Sequence, residues 1–395
     1  MIRRRGVRLL ALGALGAALT ACSASSSAPS APSSGVGLPP SQAVTGPTGS
    51  WATVVMGHLD DPLNTFGELV YRPPCPGVAV CAPRDWVLAT PPGVASNGGL
   101  FAAVDTDGTM TTGFGVSLDL TFSPLAATSD AGSSWTTGIL PDGLVPVTDA
   151  LATSGEERLA LVSAGGGEVL TSGADLSTWS VLVRRSAVAT AASGSGCTLG
   201  ALTAVSVVRP GVDLVAGTCG SGARAGVFRV GSGSGSGGSA VTPVGPVLTG
   251  PVHGPDRVER LVATPSGLGA LVVSGGGSSK RLLLAESTDG GSTWTMTAPY
   301  ATGGTVVSTS VDASGTMAVV LATGGRRTAV VATPGSSWTT LPTLPPATTT
   351  VAADTGGSFS ALVPSGSTLT SYVLGSGSWV RHQVLAVPIQ YGSTG

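Results

Sequence analysis

Tryptophan recurs along this chain at a nearly fixed interval, and that interval limits the folds open to it. Trp135 and Trp179 stand 44 residues apart, as do Trp294 and Trp338, and Trp379 follows 41 residues later. Aligned on these tryptophans, the stretches ending there read alike. Val311 to Trp338, Val351 to Trp379, Leu261 to Trp294, Leu151 to Trp179 and Ala102 to Trp135 each carry an apolar strand, a Gly turn, a second strand and a Gly/Ser turn. A third strand and a hydroxyl-rich turn follow, and the tryptophan opens a fourth strand. A repeat of this length with its own four strands cannot bury both of its faces alone, so it must stack on copies of itself.

A period of about 40 to 45 residues with four strands per unit is that of a propeller blade. Composition agrees: 60 Gly and 28 Pro break the chain at short intervals, while 42% hydrophobic residues supply a large core. The expected class is therefore all-β, a propeller of four-stranded antiparallel blades. Between Trp179 and Trp294 there is room for two units, the first closing on a turn without tryptophan, "GSGSGSGGS". A divergent unit closes at Trp86. The count is seven, with ends near 86, 135, 179, 240, 294, 338 and 379, or six if the poorly defined first unit is set aside.

Ser287 to Trp294 reads "STDGGSTW", and Thr128 to Trp135 reads "TSDAGSSW". Both resemble the Asp box, the BNR repeat of sialidases and related propellers. An Asp between hydroxyl residues and glycines accepts backbone N–H bonds and folds a turn on itself, and Gly takes a backbone conformation denied to bulkier residues. The resemblance implies that Asp130 and Asp289 are structural, joining the third and fourth strands of a blade on the face away from any ligand. It implies equally that Trp135 and Trp294 pack between blades. Other copies are eroded: Asp175 is displaced in "SGADLSTW", and the turns before Trp338 and Trp379 lack the Asp.

At the N-terminus, Arg3, Arg4, Arg5 and Arg8 precede an apolar run from Leu9 to Ala21. Its 13 residues are too few to cross roughly 30 Å of hydrocarbon as a helix but suit the core of a signal peptide. The run ends in Leu19-Thr20-Ala21-Cys22, which resembles a bacterial lipobox. That resemblance implies a signal peptide over 1–21, acylation of Cys22 and attachment to the outer face of the cell membrane. Residues 22–45, rich in Ser, Ala and Pro, read as a tether, and 46–395 as the propeller. Cys75, Cys81, Cys197 and Cys219 form an even set in an exported chain, which suggests two disulfides with three connectivities open. We favour Cys75–Cys81 and Cys197–Cys219, since a hairpin turning at Arg209-Pro-Gly brings the second pair together. Zinc is not expected: neither pair has a zinc-ligand spacing, and the histidines are only His58, His253 and His382.

With 19 Lys+Arg against 21 Asp+Glu and no basic run beyond the leader, nucleic acid is not an expected partner. A sialidase would need an arginine triad for a carboxylate, a Tyr nucleophile assisted by Glu, and an Asp acid/base. Tyr71-Arg72-Pro73-Pro74 partly matches the motif of the first arginine, with Pro in place of Ile, so that Arg72 would be the residue for a substrate carboxylate in a sialidase and otherwise a solvated turn residue beside the Cys75–Cys81 loop. None of the four tyrosines, Tyr71, Tyr300, Tyr372 and Tyr391, stands in a nucleophile context. On loops that would gather at the face opposite the Asp boxes lie Arg224, His253, Asp256, Arg257, Tyr300, Arg326 and Arg327. Asp105-Thr-Asp-Gly108 echoes a calcium loop but lacks the distal Glu, and reads as a tight turn. The expectation is a monomeric binding scaffold without cofactor, partnered by the bilayer through Cys22 and by an envelope protein or glycan. An exo-glycosidase of the sialidase type is the alternative.

Overall fold

Seven four-stranded antiparallel meanders follow one another along the described residues. In a computed structural model of the chain these residues are 41–58, 65–74, 84–91, 100–104, 108–114, 124–139, 148–162, 167–220, 225–231, 240–246, 255–264, 267–276, 280–354 and 357–389. All belong to one unit of structure, Leu38–Gly395. Blade 1 comprises β1 (Ser41–Gly46), β2 (Gly49–Gly57), β3 (Thr65–Arg72) and β4 (Val87–Leu88). Blade 2 has β5 (Leu100–Val104), β6 (Met110–Phe114), β7 (Pro124–Thr128) and β8 (Thr136–Ile139). Blade 3 has β9 (Thr148–Ser154), β10 (Glu157–Val162), β11 (Glu168–Ser172) and β12 (Trp179–Arg184), and a helix, α1 (Arg185–Ser193), follows it. Blade 4 has β13 (Leu199–Arg209), β14 (Val212–Cys219), β15 (Gly226–Gly231) and β16 (Ala240–Pro243). Blade 5 has β17 (Asp256–Thr264), β18 (Gly267–Ser274), β19 (Arg281–Ser287) and β20 (Thr295–Met296), with β21 (Tyr300–Ala301) extending the same edge. Blade 6 has β22 (Thr305–Val311), β23 (Met317–Thr323), β24 (Arg326–Ala332) and β25 (Thr339–Thr340). Blade 7 has β26 (Thr350–Ala353), β27 (Phe359–Ser365), β28 (Thr368–Leu374) and β29 (Trp379–Ala386).

The fourth strands open at or just past the seven positions read from the sequence, so the count is seven. One boundary moves. β1 begins at Ser41, inside the stretch assigned to the tether, and Ala43 and Val44 are only 1% and 4% exposed. Six uncharged residues following a Pro-rich stretch carry too little periodicity to announce a strand.

Each sheet is covered on both sides by its neighbours, which is why the middle strands are apolar without alternation. In β14, Leu214 and Ala216 pack toward blade 5, while Val215 and Cys219 pack toward blade 3. In β23, Met317, Val319 and Leu321 face one seam and Ala318 and Val320 the other. Tryptophan from the start of a fourth strand packs in six of the seven seams: Trp86, Trp135, Trp179, Trp294, Trp338 and Trp379. The seam between blades 3 and 4 lacks one among the described residues. There Val188 and Ala192 of α1, Phe228, and the Cys197–Cys219 disulfide, with Cα atoms 5.2 Å apart, supply the bulk instead. That disulfide is the pair expected from the β13–β14 hairpin, where Leu199 lies opposite Cys219. Cys22, Cys75 and Cys81 lie outside the described residues.

Among the described residues three pairings cross blade boundaries, the smallest a single bridge between Gly57 of blade 1 and Gly366 of blade 7. β1 runs parallel to β22, with Gln42 opposite Thr309, and joins blades 1 and 6 through their innermost strands. Thr218 and Cys219 of β14 pair with Arg257 and Asp256 of β17.

Candidate functional site

The meander fixes which face each turn occupies. In every blade the first-to-second and third-to-fourth turns lie on one face, and the remaining connections on the other. Asp130, Asp175, Asp289 and Asp312 all sit in turns of the first kind. The N-terminal ends of β17 and β24, with Arg257, Arg326 and Arg327, point to the second face.

Arg72 does not belong to that second face. It ends β3, on the side of the Asp turns, and is 5% exposed. Its guanidinium pairs with the Asp354 carboxylate of blade 7. Nη1 donates to Ser360 Oγ at 2.7 Å, Ser360 Oγ donates to Asp354 Oδ2 at 3.0 Å, and the guanidinium carbon lies 4.6 Å from the Trp86 ring centroid. Burial lowers the Arg72 pKa to about 10. The expectation that Arg72 meets a ligand carboxylate is therefore corrected: the carboxylate it meets is internal. Alongside, Gln383 of β29 donates to the carbonyl of Trp86 and accepts from its amide, both at 2.8 Å. First and last blades are thus locked by side chains together with one backbone bond, from the Gly57 amide to the Gly366 carbonyl at 3.1 Å.

The other candidates scatter. Asp256 is 1% exposed, and burial raises its carboxyl pKa. Arg257 is exposed and pairs with Glu259 at 2.7 Å. Tyr300 is half-buried in the seam between blades 5 and 6, its ring 6.3 Å from that of Trp338. Arg327 Nη1 donates to the carbonyls of Ala347, at 2.8 Å, and Thr348. Arg326 is exposed. Among the described residues no hydrogen bond or ion pair joins any two of these five. Arg224 and His253 lie outside the described residues, as do Asp105 and Asp107.

On the opposite face, Asp289 Oδ1 accepts the amides of Ser292 and Thr293, each at 2.8 Å, and its Oδ2 accepts the Thr293 hydroxyl at 2.6 Å. Asp130 accepts the amide of Ser134 at 2.9 Å and its hydroxyl at 2.6 Å. These donors hold both carboxyl pKa values down at about 2. Trp294 Nε1 donates to Val244 O of blade 4 at 2.6 Å, and Trp135 meets Trp51 of blade 1 edge-on at 6.2 Å. The displaced Asp175 still caps its turn, accepting the Ser177 amide and hydroxyl at 3.2 and 2.5 Å. Before Trp338 the Ser336 hydroxyl stands in for the missing carboxylate, accepting the Thr333 amide at 3.0 Å.

A second Asp turn went unrecognised in the sequence. Val311-Asp-Ala-Ser-Gly-Thr316 and Ala353-Asp-Thr-Gly-Gly-Ser358 share a pattern in the first-to-second turn. In blade 6 Asp312 Oδ1 accepts the amides of Ser314 and Thr316, both at 2.9 Å. In blade 7 the equivalent Asp354 is diverted to Arg72.

On this same face a groove of about 530 Å³ opens beside the seam of blades 3 and 4, lined by Glu156, Glu157, Thr171, Ser172, Thr178 and Pro210 among others. Glu157 accepts from the Thr171 hydroxyl at 3.3 Å and the Gly211 amide at 3.2 Å, reaching across the seam. Beneath it lies Asp213, 1% exposed, its Oδ1 without a hydrogen-bond partner. Burial, and secondarily the Glu157 charge, push the Asp213 pKa up to about 7.

No protein-family model matches the sequence, and no curated protein matches it. Solved structures do match in fold. The GH74 xyloglucanase of Xanthomonas campestris, a β-propeller, superposes with a TM-score of 0.51 at 13% identity, over 86% of this chain and 52% of its own. A candidate 6-phosphogluconolactonase from Bacteroides uniformis gives 0.50 at 11% identity, over 87% of this chain and 98% of its own. This chain spans about half the length of the xyloglucanase chain. What it shares with these structures is the β-propeller fold.

Proposed function

We propose that this chain is a lipoprotein of the extracytoplasmic membrane face, anchored through Cys22, whose propeller is a non-catalytic scaffold for an envelope protein or glycan. The arginine-led leader ending in a Cys, the Pro/Ser-rich stretch after it and the Asp-box resemblance support this reading. No helix of the described residues is long and apolar enough to cross a membrane. The observation that carries most weight is the Arg72–Asp354 pair. It commits to ring closure the arginine that a sialidase-type reading would assign to substrate.

Two measurements test the proposal. In the native host, metabolic labelling with palmitate should mark the parent and not a Cys22→Ala variant, which should leave the membrane fraction; equal labelling of both would refute the anchor. The purified chain should release nothing from a broad panel of fluorogenic and natural glycosides, sialosides included. Turnover that copurifies with the chain would make it a glycosidase.

A further inference from the structure

Arg260 is buried at the inner end of the seam between blades 5 and 6, 7% exposed. Among the described residues its one hydrogen-bond partner is the Thr309 hydroxyl, 3.1 Å from Nη1. No carboxylate of those residues forms an ion pair with it, and the neighbouring Glu259 is taken by Arg257. A bulge between Val258 and Arg260 turns the side chain toward blade 6, while Val258 and Leu261 pack toward blade 4.

The ring of innermost strands is most thinly joined at this place. β5 lies against β1 and β9, β13 against β9 and β17, and β26 against β22 and β1. Among the described residues β17 and β22 are the neighbouring pair of these strands that approach least. β22 pairs instead with β1, in parallel. Arg260 reaches over this junction to Thr309.

We propose that this junction is a binding site for a small oxyanion from solution, a carboxylate or a tetrahedral anion such as phosphate, with Arg260 as its charged ligand and Thr309 as its second. A guanidinium carries five N–H donors; one hydrogen bond goes to a neutral hydroxyl, and since no Arg260 nitrogen is buried without a partner among the described residues, the other donors are open to solvent and to an anion. Burying such a charge without a counter-charge is costly. A planar fork of donors fits two oxygens of a carboxylate or phosphate at once. Thr309 accepts from Arg260 through its oxygen and keeps its own O–H to donate to the anion. The alternative role, a neutral strut between two strands, would be filled more cheaply by an uncharged side chain. The site stands whether or not Cys22 is acylated.

The test is thermal unfolding of the full chain in detergent at low ionic strength, with phosphate or acetate added against chloride at matched ionic strength. Saturable stabilisation is expected, about 3–5 °C at a hundredfold excess over Kd, with chloride inert. Phosphate alone acting would mark a tetrahedral-anion site, and acetate alone a carboxylate site. Arg260→Met should unfold at a higher temperature than the parent without anion and ignore both ligands. The same anion response in parent and variant, or none in the parent, overturns the proposal. Should Arg260→Met fail to fold, calorimetric titration of the parent decides: a saturable one-to-one heat, weakened at least tenfold in Arg260→Lys, supports the site. No saturable heat up to about 10 mM refutes it.

Discussion

Arg72, at the end of β3 in the first blade, and Asp354, in the first turn of the last blade, form a buried ion pair that closes the ring. Removing one member of such a pair leaves the other charged, buried and unmatched, a loss of about 3–5 kcal/mol. Arg72→Ala should lower the urea midpoint accordingly, and Asp354→Ala should do likewise. Combining Arg72→Met with Asp354→Leu should recover much of the loss, because two apolar groups leave no orphaned charge. Additive losses in the double variant would show that the two residues act independently.

Asp213 makes stability depend on pH in a direction that can be stated. An unfolded Asp titrates near 4, whereas burial beneath Glu157 holds the folded group at about 7. Between those values the folded state binds the extra proton, so its stabilising share is complete below pH 4 and is lost as pH rises to 7. The difference in unfolding free energy between parent and Asp213→Asn should therefore change by roughly 1–3 kcal/mol from pH 4 to pH 8, to the variant's advantage at the alkaline end. A flat difference profile would place the Asp213 carboxyl in contact with water or with a cation.

The Cys197–Cys219 bridge sits in the seam that lacks a tryptophan, and closes a 22-residue separation. A loop of that length corresponds to about 3 kcal/mol. The double variant Cys197→Ala/Cys219→Ala should lose stability on that scale, and hydrogen exchange should accelerate first in α1, which packs through Val188 and Ala192 beside the bridge. Exchange that quickens evenly across all seven blades would mean that the bridge stabilises globally and not at this seam.

How much of this was legible in the sequence follows from how local each signal is. Blade boundaries were readable because the turn and its tryptophan lie within eight residues of each other, and hairpin reasoning reached Cys197 and Cys219 for the same reason. β1 was missed, being six residues with no turn signature. Arg72 was misjudged because its partner stands at the far end of the chain, where Asp354 belongs to a turn pattern shared with Asp312 that the tryptophan alignment did not bring out. The loops near Arg257 and Arg326 were placed by topology alone. Burial of Asp256 and the Arg257–Glu259 pair depend on side-chain direction, which spacing does not report.

The two full Asp turns differ at one position in a way that isolates backbone strain. After the Asp, blade 5 has Gly290 at φ 69°, and blade 2 has Ala131 at φ 60°. An L-residue pays about 1–2 kcal/mol for that left-handed conformation, and Gly does not. A Cβ added at Gly290 would meet only ordinary contacts, Arg229 Nη2 at 3.7 Å and Val208 Cγ1 at 3.8 Å, so Gly290→Ala tests φ and little else. It should lower stability by about 1 kcal/mol. Ala131→Gly relieves the same strain but gives up a methyl packed against the core shared by blades 1 and 2, so its gain should be smaller, up to about 0.5 kcal/mol. Urea midpoints at unchanged m-value are the measurement. Opposite signs with the larger effect at Gly290 are expected, and two losses of equal size would mean that packing at Ala131 outweighs the conformation it is forced to adopt.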